Sequence, residues 1–168
     1  MNEFDAELRV LVVAADALAR AGLAALLAEE PGILVAGQSA PDVDWDDLLA
    51  AYRPDAVVWD WGWDPAAALG QLPNADAPDV PVVALLPDED AAAEAWGAGI
   101  HGLLPRQAAP EQIVAALRAV AAGVAALDPA LVEALVAPRG APLDAPGTLL
   151  TPREAEVLRL LAEGLANK

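Results

Sequence analysis

Short apolar runs alternate with segments of helical periodicity along the first 125 residues. The run LRVLVVAA (8–15) is continuously apolar after Arg9, the pattern of a strand covered on both faces. DALARAGLAALLAEE (16–30) follows, with Leu18, Gly22, Leu23, Leu26 and Leu27 at helical spacing, Asp16 as an N-cap and a Pro-Gly stop. The same alternation then repeats. Strands are predicted over 33–38 (ILVAGQ), 55–60 (DAVVWD), 80–86 (VPVVALL) and 101–105 (HGLLP). Helices are predicted over 43–53, over 65–72 with Pro65 in the first turn, over 88–99 and over 110–123. The stripe of the last is Ile113, Val114, Leu117, Val120 and Val124. Five successive strand–helix units predict an α/β domain, a doubly wound five-stranded parallel sheet with helices on both faces. In such sheets ligands gather outside the carboxyl ends of the strands. Asp60 closes the third strand and so lies at such an end.

The pattern breaks after residue 125. DPALVEALVA (128–137) predicts one more short helix, and PRGAPLDAPG (138–147), with three prolines and two glycines, reads as a linker. TPREAEVLRLLAEGLANK (151–168) opens another helix. Thr151 is its N-cap, Pro152 suits the first helical position and Glu154 completes a capping box. Its stripe, Val157, Leu158, Leu161 and Leu165, finds nothing to pack on before Lys168, as expected of the start of a longer domain or of an arm docked on the first. The expected organisation is a domain over 1–125, a helix and Pro-rich linker over 126–150, and a helical extension over 151–168.

Composition narrows the chemistry. A hydrophobic content of 57% suffices for a packed core. The absence of cysteine excludes disulfides and thiolate metal sites. The opening MNEFDAELRV is acidic before it is apolar, the reverse of a signal peptide, and no apolar stretch reaches the roughly 18 residues of a membrane span. A cytoplasmic location away from membranes is the expectation. The formal net charge of −17 resides in residues 1–137, where five arginines and no lysine face 22 carboxylates; residues 138–168 balance four against four. So acidic a body repels nucleic acid at long range, and any DNA contact belongs to the C-terminal part.

Several signals reduce to local structure. GAGIHG (97–102) matches G-x-G-x-x-G, but a dinucleotide fingerprint follows a strand and opens a helix, whereas this one closes a helix and leads into a strand. His101 within it is the one histidine, so no Ser/His/Asp set with a nucleophile elbow can be drawn. An aspartyl-phosphate hydrolase needs a second aspartate two residues after the first, and position 62 is glycine. The acidic run PDVDWDD (41–47) sits at a helix start, where carboxylates favour the helix dipole.

RVLVVAADALARAGLAALLAEEPGILVAG, RPDAVVWD, VPVVALL, GAGIHGLLPR, IVAALRAVAAG and above all LTPREAEVLRLLAEGLANK resemble the response regulators of the NarL/FixJ type, a receiver domain joined to a LuxR-type helix-turn-helix. The resemblance implies strand order 2-1-3-4-5 and a receiver over 1–125. It also implies that 151–168 is the first helix of a helix-turn-helix whose recognition helix lies beyond it. In this family the receiver accepts a phosphoryl group on an aspartate at the end of the third strand. An acidic pair after the first strand joins that aspartate in holding Mg²⁺, a hard cation that takes oxygen ligands. A lysine after the fifth strand neutralises phosphoryl charge. A Thr or Ser ends the fourth strand, and an aromatic on the fifth relays the state to a dimer surface.

Carried onto this chain, Asp60 stands at the phosphoacceptor position. Ala14 and Ala15 stand where the acidic pair belongs, with Asp16 one residue on as a candidate substitute ligand. Leu86 occupies the Thr/Ser position and Leu103 that of the switch aromatic. Arg106 replaces the lysine, keeping the charge but exchanging a point donor for a planar fork that could pair with Asp60. Trp63 and Asp64 replace a Met-Pro pair common in the family. Only one of the five functions survives unaltered.

The expectation is a non-enzymatic, phosphorylation-independent regulator of transcription, a homodimer with weak or no Mg²⁺ binding and no other cofactor. DNA binding is expected of the full helix-turn-helix and not of this stretch alone. Trp59 is expected in the core. Trp61 and Trp63, past the strand end, are expected to be exposed beside the pocket, either filling space or forming an aromatic-walled pocket or interface. The alternatives are a small-molecule sensor, its ligand entering beside those tryptophans, and a heterodimerising interaction module; a histidine kinase partner stays open.

Overall fold

The computed structural model describes residues 7–71 and 80–136. The 138–150 linker and the 151–168 helix lie outside them. Within the described residues six strands alternate with six helices: β1 (Leu8–Ala14), α1 (Ala17–Ala28), β2 (Ile33–Ser39), α2 (Trp45–Tyr52), β3 (Ala56–Asp60), α3 (Pro65–Leu69), β4 (Val82–Leu86), α4 (Ala92–Gly97), β5 (Gly102–Pro105), α5 (Pro110–Ala121), β6 (Ala126–Leu127) and α6 (Pro129–Val136). All neighbouring strands pair in parallel, in the order β2-β1-β3-β4-β5-β6. The expected five-stranded order is therefore present, extended at one edge by a two-residue sixth strand. The order reverses between β1 and β3, so their carboxyl ends flank the crevice of the doubly wound sheet.

The period of two along each strand divides the core into two layers. Leu11, Val13, Val57, Trp59, Val82, Ala84, Leu86 and Leu103 face α2, α3, α4 and α6, meeting Trp45, Ala68, Ala92 and Leu131. Val10, Val12, Val58, Val83, Leu85 and Leu104 face α1 and α5, meeting Leu23, Leu27, Ile113 and Leu117. With both faces covered, the inner strands are apolar apart from Arg9 near the start of β1 and Asp60 at the end of β3, which explains their long apolar runs.

Some helix details depart from the spacing. Leu18 and Leu26, expected on the buried stripe of α1, are exposed, and Leu23, Ala24 and Leu27 form the buried face. α4 begins at Ala92 because Asp88–Asp90 lie in the preceding turn, and Val124 lies past the end of α5 and is exposed. The GAGIHG segment is a helix stop: α4 ends at Gly97 and Gly99 takes a left-handed φ of 85° before β5 begins. Arg9 on β1 closes α2, its Nε donating to the Arg53 carbonyl and its Nη2 to that of Tyr52.

Two glycines are expected to respond oppositely to alanine. A Cβ on Gly37 of β2 would run into the Tyr52 ring, so Gly37→Ala is expected to destabilise by about 1–3 kcal/mol. Gly22 in α1 has nothing within 4 Å, so Gly22→Ala is expected to stabilise by about 1 kcal/mol. Urea unfolding of the two variants checks both signs.

Candidate functional site

Asp60 ends β3 at the crevice and is 8% exposed. Its carboxylate accepts three hydrogen bonds. The backbone N–H of Gly62 donates to Oδ1 at 3.0 Å, Arg106 Nε to the same oxygen at 2.6 Å and Arg106 Nη2 to Oδ2 at 2.8 Å. This fork-to-carboxylate geometry is the strong form of charge-assisted bonding. Arg106 follows β5, held by its backbone N–H on the Leu86 carbonyl at 2.9 Å. The Trp63 ring centroid lies 4.6 Å from the guanidinium carbon, a cation–π contact.

Ala14 pairs in register with Asp60 across the switch point and is buried; Ala15 is exposed, and neither brings an oxygen-bearing side chain. Asp16 serves α1 instead: its Oδ1 accepts the Ala19 N–H at 2.7 Å as the N-cap. Among the described residues no group of three or more histidine or carboxylate side chains could hold a metal ion. Arg20, which the sequence did not single out, reaches from α1 to donate to the Ala14 carbonyl, so a second guanidinium approaches the same strand end. Nothing in its spacing marks it; only the fold of α1 back over the end of β1 does.

Leu86 and Leu103 are wholly buried in the α2–α4 layer, and it is Leu85 that pairs with Asp60. The two tryptophans part company. Trp63 is exposed as expected, at 82%. Trp61 is not: it is 4% exposed and packs edge-on against Trp59 at 5.6 Å, which in turn meets Trp45 at 5.2 Å. The Trp61 N–H bonds the Leu85 carbonyl, continuing the ladder one residue past the strand, and the pleat returns its ring to the side of Trp59. Its buried indole Nε1 has no hydrogen-bond partner among the described residues. His101 is exposed and stacks edge-on with Trp96 at 4.7 Å.

NarL, the nitrate/nitrite response regulator of Escherichia coli K12, is 28% identical over 166 residues, covering 95% of this chain and 77% of NarL. LiaR, a transcriptional regulatory protein of Bacillus subtilis 168, is 30% identical over 167 residues, covering 96% of this chain and 79% of LiaR. The chain belongs to the NarL/LuxR family of response regulators. No family model matches it. The fold agrees: the signal receiver domain of NarL from Mycobacterium tuberculosis superposes with a TM-score of 0.55 over 70% of this chain and 98% of its own, at 24% identity. The response regulator's six-stranded unit is thus a receiver-like domain. NarL is a response regulator and LiaR a transcriptional regulatory protein. No helix among the described residues is long and apolar enough to cross a membrane.

Removing one member of a buried ion pair leaves an uncompensated charge, whereas removing both leaves little deficit. Arg106→Met in this response regulator is therefore expected to destabilise by about 3 kcal/mol. Combining it with Asp60→Asn is expected to recover much of the loss, with a coupling of about 1–3 kcal/mol in a double-mutant cycle by urea unfolding. Strict additivity would show that the two side chains do not interact.

Proposed function

We propose that this chain regulates transcription through a receiver that signals without phosphorylation of Asp60. The bidentate Asp60–Arg106 pair supports the reading most directly. Phosphoryl transfer to a carboxylate needs an approachable oxygen and cations that gather the developing charge on the phosphoryl oxygens. Here both Asp60 oxygens already accept from Arg106, and Ala14 and Ala15 offer no carboxylate to complete a Mg²⁺ shell, since Asp16 caps α1. Mg²⁺ demands near-ideal octahedral oxygen coordination, so one carboxylate held by a guanidinium is a poor site. The relay is missing as well: Leu86 has no hydroxyl to hold a phosphoryl group and Leu103 no aromatic ring to change rotamer.

On this reading Arg106 substitutes permanently for what phosphate and metal do transiently in a receiver, and the lock on Asp60 fixes the domain in one state. DNA is the partner of the LuxR-type helix-turn-helix that begins at Thr151, a homodimer is the working form, and the location is cytoplasmic. NarL and LiaR support transcription control as the output. The charge distribution agrees with a division of labour, since residues 1–137 carry the whole charge of −17 and residues 138–168 are balanced.

Incubation of the full chain with Mg²⁺ and acetyl phosphate, followed by intact-mass analysis, is expected to give no phosphoryl adduct. Stoichiometric, base-labile modification mapped to Asp60 would contradict the proposal.

A further inference from the structure

A groove of about 470 Å³ runs between α1 and the start of α5 and ends at the Asp60–Arg106 pair. Leu23 and Leu26 of α1, Leu85 of β4 and Ile113 of α5 line it, with Arg106 and Trp63 at its polar end. Such a volume, apolar walls and a few convergent polar groups are the marks of a small-molecule site. Leu26 is 50% exposed although its neighbours Leu23 and Leu27 are buried, so the groove presents an apolar side chain to solvent.

Two observations indicate what fits. The first is Gly22, which lines the same groove in the middle of α1. A mid-helix glycine costs about 1 kcal/mol relative to alanine. Among the described residues no atom lies within 4 Å of a Cβ built there, so none of them requires the gap. What the missing side chain does is leave the groove wall open. The second is the balance of donors and acceptors at the polar end. The Asp60 carboxylate is satisfied by three donors, whereas Arg106 uses only Nε and Nη2, and among the described residues Nη1 makes no hydrogen bond. The end of the groove therefore offers donors and suits an acceptor, not a cation.

We infer that the groove binds a small, mostly apolar molecule ending in an oxygen acceptor, a carbonyl or carboxylate. The acceptor meets Arg106, and the hydrocarbon part lies along Leu23, Leu26 and Ile113. The site is on the α1–α5 side of the sheet and not beside Trp61, which is buried in the other layer. As a signal it rests on the proposed function, because an Asp60 that carries no phosphoryl group leaves the Arg106 corner to a ligand. The binding itself is a separate property.

The test titrates the full chain with 8-anilinonaphthalene-1-sulfonate and competes the dye with decanoate. The expected result is saturable one-to-one fluorescence enhancement, displaced by decanoate. Gly22→Leu, which fills the groove, and Leu26→Glu, which places a like charge at its half-exposed wall, are each expected to weaken dye binding by about tenfold or more. Both variants are expected to keep the wild-type circular dichroism spectrum. No saturable binding, or dye affinity unchanged in both variants, would overturn the inference. So would a Gly22→Leu variant that alters self-association in sedimentation yet binds dye as before, since the groove is then an interface between copies of the chain. Phosphorylation of Asp60 with dye binding intact would defeat the proposed function and leave the groove standing.

Discussion

The ion pair between Asp60 and Arg106 organises the carboxyl edge of the sheet. β3 delivers a carboxylate to the crevice between reversed strand orders, and the segment after β5 delivers a guanidinium to the same point. With one partner 8% and the other 19% exposed, each charge depends on the other for compensation. The surroundings follow from that dependence. Trp63 covers the guanidinium, the Gly62 N–H completes the carboxylate, and Ala14 brings no second anion to compete for the arginine.

The handling of positive charge extends the same economy across the domain. Of the five arginines in residues 1–137, Arg9, Arg20, Arg106 and Arg118 each donate side-chain hydrogen bonds within the described residues, to α2 carbonyls, the Ala14 carbonyl, Asp60 and the Pro31 carbonyl. Few cations remain to meet phosphate groups, while the carboxylates of the α2 and β4–α4 turns stay on the outside. A domain so built turns these arginines to internal hydrogen bonds and most of its carboxylates to solvent, where they repel polyanions.

Much of the fold could be read from the chain because parallel strands covered on both faces leave long apolar runs, and VVWD announced both the strand and the carboxylate at its end. β6 could not be read: two residues, Ala126 and Leu127, are too few to show any period, and only pairing with β5 reveals them. Asp60 and Arg106 were legible as partners through the family resemblance, but Arg20 was not, since its role arises from how α1 folds back over β1. The burial of Trp61 departs from expectation for a simple reason. The strand does end at Asp60, but one more hydrogen bond, from the Trp61 N–H to the Leu85 carbonyl, carries the period of two past it and places Trp61 beside Trp59.

A carboxylate committed to Arg106 is expected to assemble neither magnesium nor a phosphoryl mimic. Two-dimensional ¹H–¹⁵N spectra of the full chain, titrated with Mg²⁺ and beryllofluoride together, test this at the site itself. The Asp60, Trp61 and Gly62 amides and the Arg106 Nε–H resonance are expected to stay in place. A saturable shift of these signals to a second set, accompanied by loss of the hydrogen-bonded Arg106 Nε–H signal, would contradict it.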